Sequence, residues 1–180
     1  MAKPKVSSDW LAGCAGCHMS FLDIDERIVK LAELVDIRST PITDLKTPDE
    51  SGVDVGILEG GINNTTNEEV AHTMRKRCKT LVALGDCAVF GGVPAMRNFF
   101  TIEECLRRAY VETESTDAEG KIPSDPELCK PTKVRAVHEV VPVDIWLPGC
   151  PPSADQIFYV LSELAQGRKP ELKDDMLQWD

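Results

Sequence analysis

The chain has 180 residues, 42% hydrophobic and 28% charged, with a formal net charge of -10 at pH 7. That length fits one domain, 1–180, with a full hydrophobic core and little room for a second. The acidic balance argues against a phosphate-neutralising face, so nucleic acid is not expected as a partner, and no run approaches the roughly 18 apolar residues of a membrane span.

Apolar, strand-like runs alternate with amphipathic, helix-like runs from Val6 to Ala165, which predicts an α/β fold with a mostly parallel sheet. The first strand is expected over roughly Val6 to Leu11, followed by the loop LAGCAGCHMS and a helix capped by Ser20 with Asp23 three positions on. Its apolar stripe is Phe21, Ile24, Ile28, Leu31, Leu34 and Val35, and Asp25, Glu26 and Lys30 face solvent. Strands follow over Val35 to Arg38 and Val53 to Glu59, then a helix capped by Thr66 with Glu69, a strand over Thr80 to Leu84, and a helix capped by Thr101 with Glu104. The stretch from Glu112 to Pro142 holds Pro123, Pro126, Pro131 and Pro142 and the weakly strand-like KVRAVHEVV, and reads as a long excursion. A last strand, Asp144 to Leu147, leads into a helix capped by Ser153 with Gln156. The tail from Gly167 to Asp180 is polar apart from Met176, Leu177 and Trp179, which are expected to pack on the chain's own surface.

The seven cysteines are odd in number, and the opening MAKPKVSSDW has no apolar signal region. A reducing, cytoplasmic compartment is therefore expected, with thiols that bind metal rather than form disulfides. Four of them follow strand-like runs: Cys14 and Cys17 after WLAG, Cys87 after LVALGD, and Cys150 after IWLPG. Loops leaving the carboxyl ends of parallel strands converge on one edge, so cysteines far apart in sequence can meet there. Gly13 and Gly16 let the backbone approach a bulky ligand; Gly91, Gly92 and Pro94 form a tight loop after Cys87; prolines on both sides stiffen the chain at Cys150. One close pair and two distant singles fit an iron–sulfur cluster better than a zinc ribbon, which uses two close pairs, or a dithiol redox pair. Cys78, Cys105 and Cys129 are read as free thiols.

Taken together, the GCAGC loop, the ILEGGI segment at Ile57 to Ile62, the GDCAVFGGVPAMRN loop and PGCPPSADQI resemble the small subunit of nickel–iron hydrogenases, from about Trp10 to Leu164. Within that superfamily the short form is similar to the small subunit of the soluble, bidirectional, NAD-reducing type. The resemblance implies a flavodoxin-like, doubly wound sheet with helices on both faces and one proximal [4Fe-4S] cluster held by Cys14, Cys17, Cys87 and Cys150. It also implies electron relay between the Ni-Fe centre of a separate large subunit and diaphorase subunits that carry FMN and further clusters. Deazaflavin-linked and sulfur-reducing relatives are the alternatives for the acceptor, and a zinc-stabilised interaction module without redox chemistry is the alternative in kind. The small quinone-reductase subunit of respiratory complex I is a further relative, but it carries two adjacent cysteines where this chain has Cys14-Ala15-Gly16-Cys17.

GCAGC occupies the place where a phosphate-binding loop would follow the first strand, so FMN on this chain is not favoured. Glu59 puts a carboxylate on the cysteine edge, either to relay protons or hold the large subunit, or as an acid bonded to loop amides. His18 is expected beside the cluster rather than as a ligand. Arg97 and Asn98 are candidates for the interface or the cluster surroundings, and Phe90, Phe99 and Phe100 for apolar cover.

Overall fold

The computed structural model describes residues 3–117, 119–173 and 176. β1 (Lys5–Trp10) is followed by α1 (Gly16–Leu22), α2 (Arg27–Leu34), β2 (Asp36–Ser39), β3 (Val53–Glu59), β4 (Ile62–Asn64), α3 (Thr65–Arg77) and β5 (Cys78–Leu84). Then come α4 (Asp86–Phe90), a 3-10 helix over Val93–Phe99, α5 (Ile102–Tyr110), β6 (Pro131–Arg135), a 3-10 turn over Val137–Glu139, β7 (Ile145–Leu147) and α6 (Ala154–Ala165).

Five strands form a wholly parallel sheet in the order β2-β1-β3-β5-β7. Counting only these strands, the order is 2-1-3-4-5, the flavodoxin-like arrangement. β3 is central and nearly continuous in buried apolar side chains, as a strand covered on both faces must be. On one face Leu31 of α2 and Ile157, Val160 and Leu161 of α6 pack against Val55, Ile57, Val82 and Leu147. On the other, Ala71 and Met74 of α3 and Ala88 and Val89 of α4 pack against Leu58, Leu81 and Ala83.

All five expected sheet strands are present, Val53–Glu59 with the bounds expected and the others with ends shifted by at most two residues. The capping boxes at Thr101 and Ser153 form as read, each hydroxyl accepting the amide three residues on. Two other caps differ. Ser20 lies inside α1, which starts at Gly16, and its hydroxyl is buried and donates to the Pro152 carbonyl at 2.5 Å. Asn64, not Thr66, caps α3, accepting from the Asn67 amide at 2.8 Å.

The expected first helix is two helices, α1 and α2, broken where Asp25 takes a left-handed φ of 57°. The break turns the stripe: Ile24, Leu31 and Val35 are buried, but Leu34 is exposed. The 112–142 excursion is also more ordered than a bare loop, because β6 pairs antiparallel with β4 into a second, two-stranded sheet. In the tail, Glu171 and Tyr159 exchange hydrogen bonds, Leu172 packs on the core, and Gln156 donates to the Met176 carbonyl; Leu177 and Trp179 lie outside the described residues.

β7 is only three residues long and is held to β5 by more than its ladder. Asp144 donates its amide to the Leu81 carbonyl at 3.0 Å. Its carboxylate accepts from the Leu81 amide at 2.7 Å and from Arg75 at 2.6 Å. Partial burial pushes the Asp144 carboxyl up, but the amide and the guanidinium outweigh it and hold the group below the usual aspartate range. A depressed carboxyl stabilises the fold above its ordinary pKa of about 4 and loses that contribution as pH falls through the lower folded value. Asp144→Asn should therefore cost about 1 kcal/mol at pH 7, the carboxylate being half exposed and screened. Urea denaturation across pH should show the difference from wild type closing below about pH 4.

Candidate metal centre

Because every strand of the main sheet runs the same way, the loops after β1, β3, β5 and β7 leave one edge. Those loops carry Cys14 and Cys17, Glu59 and its two glycines, Cys87, and Cys150. Hydrogen bonds lace them together. Leu11 and Ala12 donate to the carbonyls of Glu59 and Gly61, and Gly61 donates back to Ala12, all at 2.8 Å. The Asp86 amide donates to the Gly149 carbonyl at 2.9 Å, and the Gly149 amide returns to the Asp86 carboxylate at 2.7 Å. The Ser20 hydroxyl ties α1 to the Pro152 carbonyl, beside the cis peptide that joins Cys150 to Pro151.

The four thiols form one electrostatic set. The Cys17 thiol is pushed far up, first by burial and then by negative charge on Glu59, Cys87, Cys14 and Cys150. Cys87 is also pushed up by burial and by Cys150 and Cys14, against the pull of the Val93 amide, which bonds its sulfur. Burial and mutual repulsion raise both thiols, so ionising them together is costly without positive charge nearby. Among the described residues no three His, Cys, Asp or Glu side chains form a group that could hold a single ion. Four cysteine thiols are a donor set that suits an iron–sulfur cluster, with one thiolate for each iron.

Backbone shape makes room for the sulfurs. Gly85, at φ 83°, has no side chain where a Cβ would overlap the Cys17 sulfur, and at Gly92, φ 49°, a Cβ would come 3.0 Å from the Cys87 sulfur. Cys14 and Cys150 are exposed, Cys87 is half-buried and Cys17 is buried, so the cradle opens outward. On the segments leading from it, Met19, Phe90, Val93, Met96, Phe99 and Phe100 expose large apolar side chains, Phe99 to 84%.

Of the remaining sequence candidates, Glu59 is 3% exposed and accepts from the Cys17 amide at 3.2 Å and the His18 amide at 2.9 Å. That is the loop-amide arrangement weighed as its plainer role. His18 is buried, with Nδ1 on the Glu59 carboxylate and Nε2 2.9 Å from the Ser8 hydroxyl. Ser8 was not a sequence candidate, because two serines in a strand carry no chemical signal until their neighbours are known.

Arg97 and Asn98 turn away from the thiols. Arg97 donates to the Thr132 and Asn63 carbonyls, and Asn98 exchanges hydrogen bonds with Val134, so both brace β6. Cys78 starts β5 at the opposite edge of the sheet, Cys105 lies on α5 and Cys129 precedes β6.

The family described as NADH ubiquinone oxidoreductase, 20 kDa subunit, matches residues 14–164. The chain is 41% identical over 181 residues to the delta subunit of the NAD-reducing hydrogenase HoxS of Cupriavidus necator, across 99% of this chain and 86% of that one. It is 37% identical over 177 residues to one subunit of the F420-non-reducing hydrogenase of Methanothermobacter thermautotrophicus, covering 97% of this chain and 58% of that one. A chain in the crystal structure of an NAD+-reducing [NiFe]-hydrogenase in the H2-reduced state superposes with a TM-score of 0.95 at 40% identity, across 99% of this chain and 100% of that one.

Gly85→Ala should strain the backbone and displace Cys17, costing about 1–3 kcal/mol. Thermal denaturation checks the stability, and iron content of the purified protein should fall with it.

Proposed function

We propose that this chain, which belongs to the NADH ubiquinone oxidoreductase 20 kDa subunit family and is the small, electron-transfer subunit of an NAD-reducing hydrogenase, acts as one flavodoxin-like domain, 1–180, holding a single [4Fe-4S] cluster on Cys14, Cys17, Cys87 and Cys150. The observation that carries this reading is the convergence of four thiols from three loops into one outward-facing, mutually repelling set. Bound there, the cluster supplies a one-electron relay between the Ni-Fe site of a large subunit and diaphorase subunits with FMN and further clusters.

The net reaction is H2 + NAD+ = H+ + NADH. Two electrons and one of the two protons from dihydrogen reach NAD+, and the other proton goes to water. This chain's residues supply four thiolates, the Val93 amide on the Cys87 sulfur, and a fold that keeps the Cys17 side of the cradle dry. NAD as the acceptor is supported by identity, 41% and 40% to the NAD-linked relatives against 37% to the F420-non-reducing one.

The exposed apolar side chains on the segments leading from the cradle are the surface assigned to the large subunit, because several large apolar groups left in water near one site mark a protein interface. Flavin is assigned to the diaphorase, since the loop after β1 is given to cysteines. Among the described residues no helix is long and apolar enough to cross a membrane, and we assign the assembly to the cytoplasm.

Anaerobic iron and sulfide analysis with electron paramagnetic resonance, on the complex co-purified with its partners, tests the cluster. About four irons and four sulfides should be lost in Cys150→Ser and retained in Cys105→Ser; one zinc and no signal from this chain would leave a structural module. Phe99→Asp should weaken large-subunit association by tenfold or more, about 1.4 kcal/mol, read by co-purification yield and sedimentation, while the isolated chain keeps its melting temperature.

A further inference from the structure

Seven-residue α1 carries Cys17 and His18 in its first turn, yet it lacks the usual means of starting. Its N-cap, Ala15, sits at φ 63° with no side chain to accept an amide, and the first turn has no acidic residue. The first amides of a helix have no partner within it and cost free energy if buried bare. Here the acceptor comes from another element. Glu59, at the end of the central strand β3, takes the Cys17 amide on one carboxylate oxygen and the His18 amide on the other.

The same carboxylate accepts the His18 ring at Nδ1, and the far ring nitrogen bonds Ser8 on the neighbouring strand β1. Trp10, also on β1, meets the ring edge-on, with centroids 5.6 Å apart at 83°. Ser8, His18 and Glu59 are each less than 10% exposed. A buried carboxylate is tolerated only when its lone pairs are filled, and every donor that fills these belongs to the turn holding Cys17. On its other side the chain borders a cavity of about 240 Å³ with almost wholly apolar walls, including Val6, Leu31, Ile57 and Val160, which offer few polar groups to compete for these bonds.

We propose that Glu59, His18 and Ser8 form a positioning chain: Glu59 caps α1 from β3, His18 doubles that link, and Ser8 anchors it to β1, so that together they fix the Cys17 thiolate and bring a buried carboxylate charge to the cluster side of the sheet. The inference rests on the cluster reading above. It gives Glu59 a structural and electrostatic task on this chain, distinct from proton relay or contact with the large subunit. Removing the carboxylate charge should favour the reduced cluster, because an added electron is then repelled less. Removing Ser8 should leave the charge and loosen the geometry.

The test compares wild type with Ser8→Ala, His18→Gln and Glu59→Gln in the co-purified complex, using iron and sulfide content, the g values of the reduced cluster and a redox titration. Partner signals are removed by subtracting the Cys150→Ser complex. Glu59→Gln keeps the side-chain size and one acceptor, and should retain the cluster while shifting the ratio of reduced to oxidised form about tenfold at fixed potential, equivalent to about 59 mV for one electron. Ser8→Ala should keep potential near wild type but broaden the g values, and His18→Gln, which can still donate to the carboxylate, should fall between them. If Glu59→Gln loses the cluster outright, Ser8→Ala decides. Lower melting temperatures with wild-type g values and potentials would overturn the proposal and reduce the chain to packing. A wild-type complex from which Cys150→Ser removes no iron or signal would instead overturn the cluster reading beneath it.

Discussion

The parallel pairing of β3 between β1 and β5 is the constraint on which the rest of this structure depends. It sends the loops after β1, β3, β5 and β7 out of one edge, and only that common exit lets residues as distant in sequence as Cys14 and Cys150 face one space. Burial on both faces makes the middle of β3 apolar, so its polar residues stand near its ends, Asp54 at the start and a second acid at the carboxyl end. Glu59 stands there, bonded to the turn that follows β1. The lacing between loops then converts a rough convergence into a defined cradle. Each link is an ordinary hydrogen bond, worth about 1 kcal/mol, but together they tie the cysteine-bearing segments to one another.

Charge organises the cradle against the preference of an empty protein. Four thiolates and a buried carboxylate on one side of a domain already at -10 repel one another. Such a set is stable when something positive stands among it, or when its thiols stay protonated. The exposed apolar side chains nearby address a different cost. They are poor neighbours for water and good ones for a protein that would also exclude solvent from the outward-facing sulfurs, lowering the local dielectric in which electrons move.

Much of the fold was legible from local pattern. β3, β5 and β7 are short apolar runs closed by glycine or proline, and the Thr101 and Ser153 caps are three-residue signals that need nothing beyond themselves. The Asn64 cap and the break at Asp25 are local details, but two other misses have partners distant along the chain. Ser20 and Asp23 have the spacing of a capping box, but α1 begins earlier because its acceptor is Glu59 on β3. The short strands β4 and β6 find each other only across the segment between them, so Pro131–Arg135 reads as excursion until Ile62–Asn64 is beside it. The cysteines could be grouped because each follows a strand; Ser8 could not, because its meaning lies in the ring that folds down on it.

The three-residue β7 has a consequence for how the site comes into being. The loop it launches supplies the last cysteine of the set in chain order, and it sits at the border of the sheet with a neighbour on one side only. A pairing between segments so remote in sequence carries a large loop-closure entropy, which local propensity does nothing to offset. A prosthetic group that bridges the first loop to the last would work as a cross-link, removing that entropy from the unfolded chain as a disulfide does in secreted domains. The short border strand is then the element whose docking such a cross-link would stabilise most.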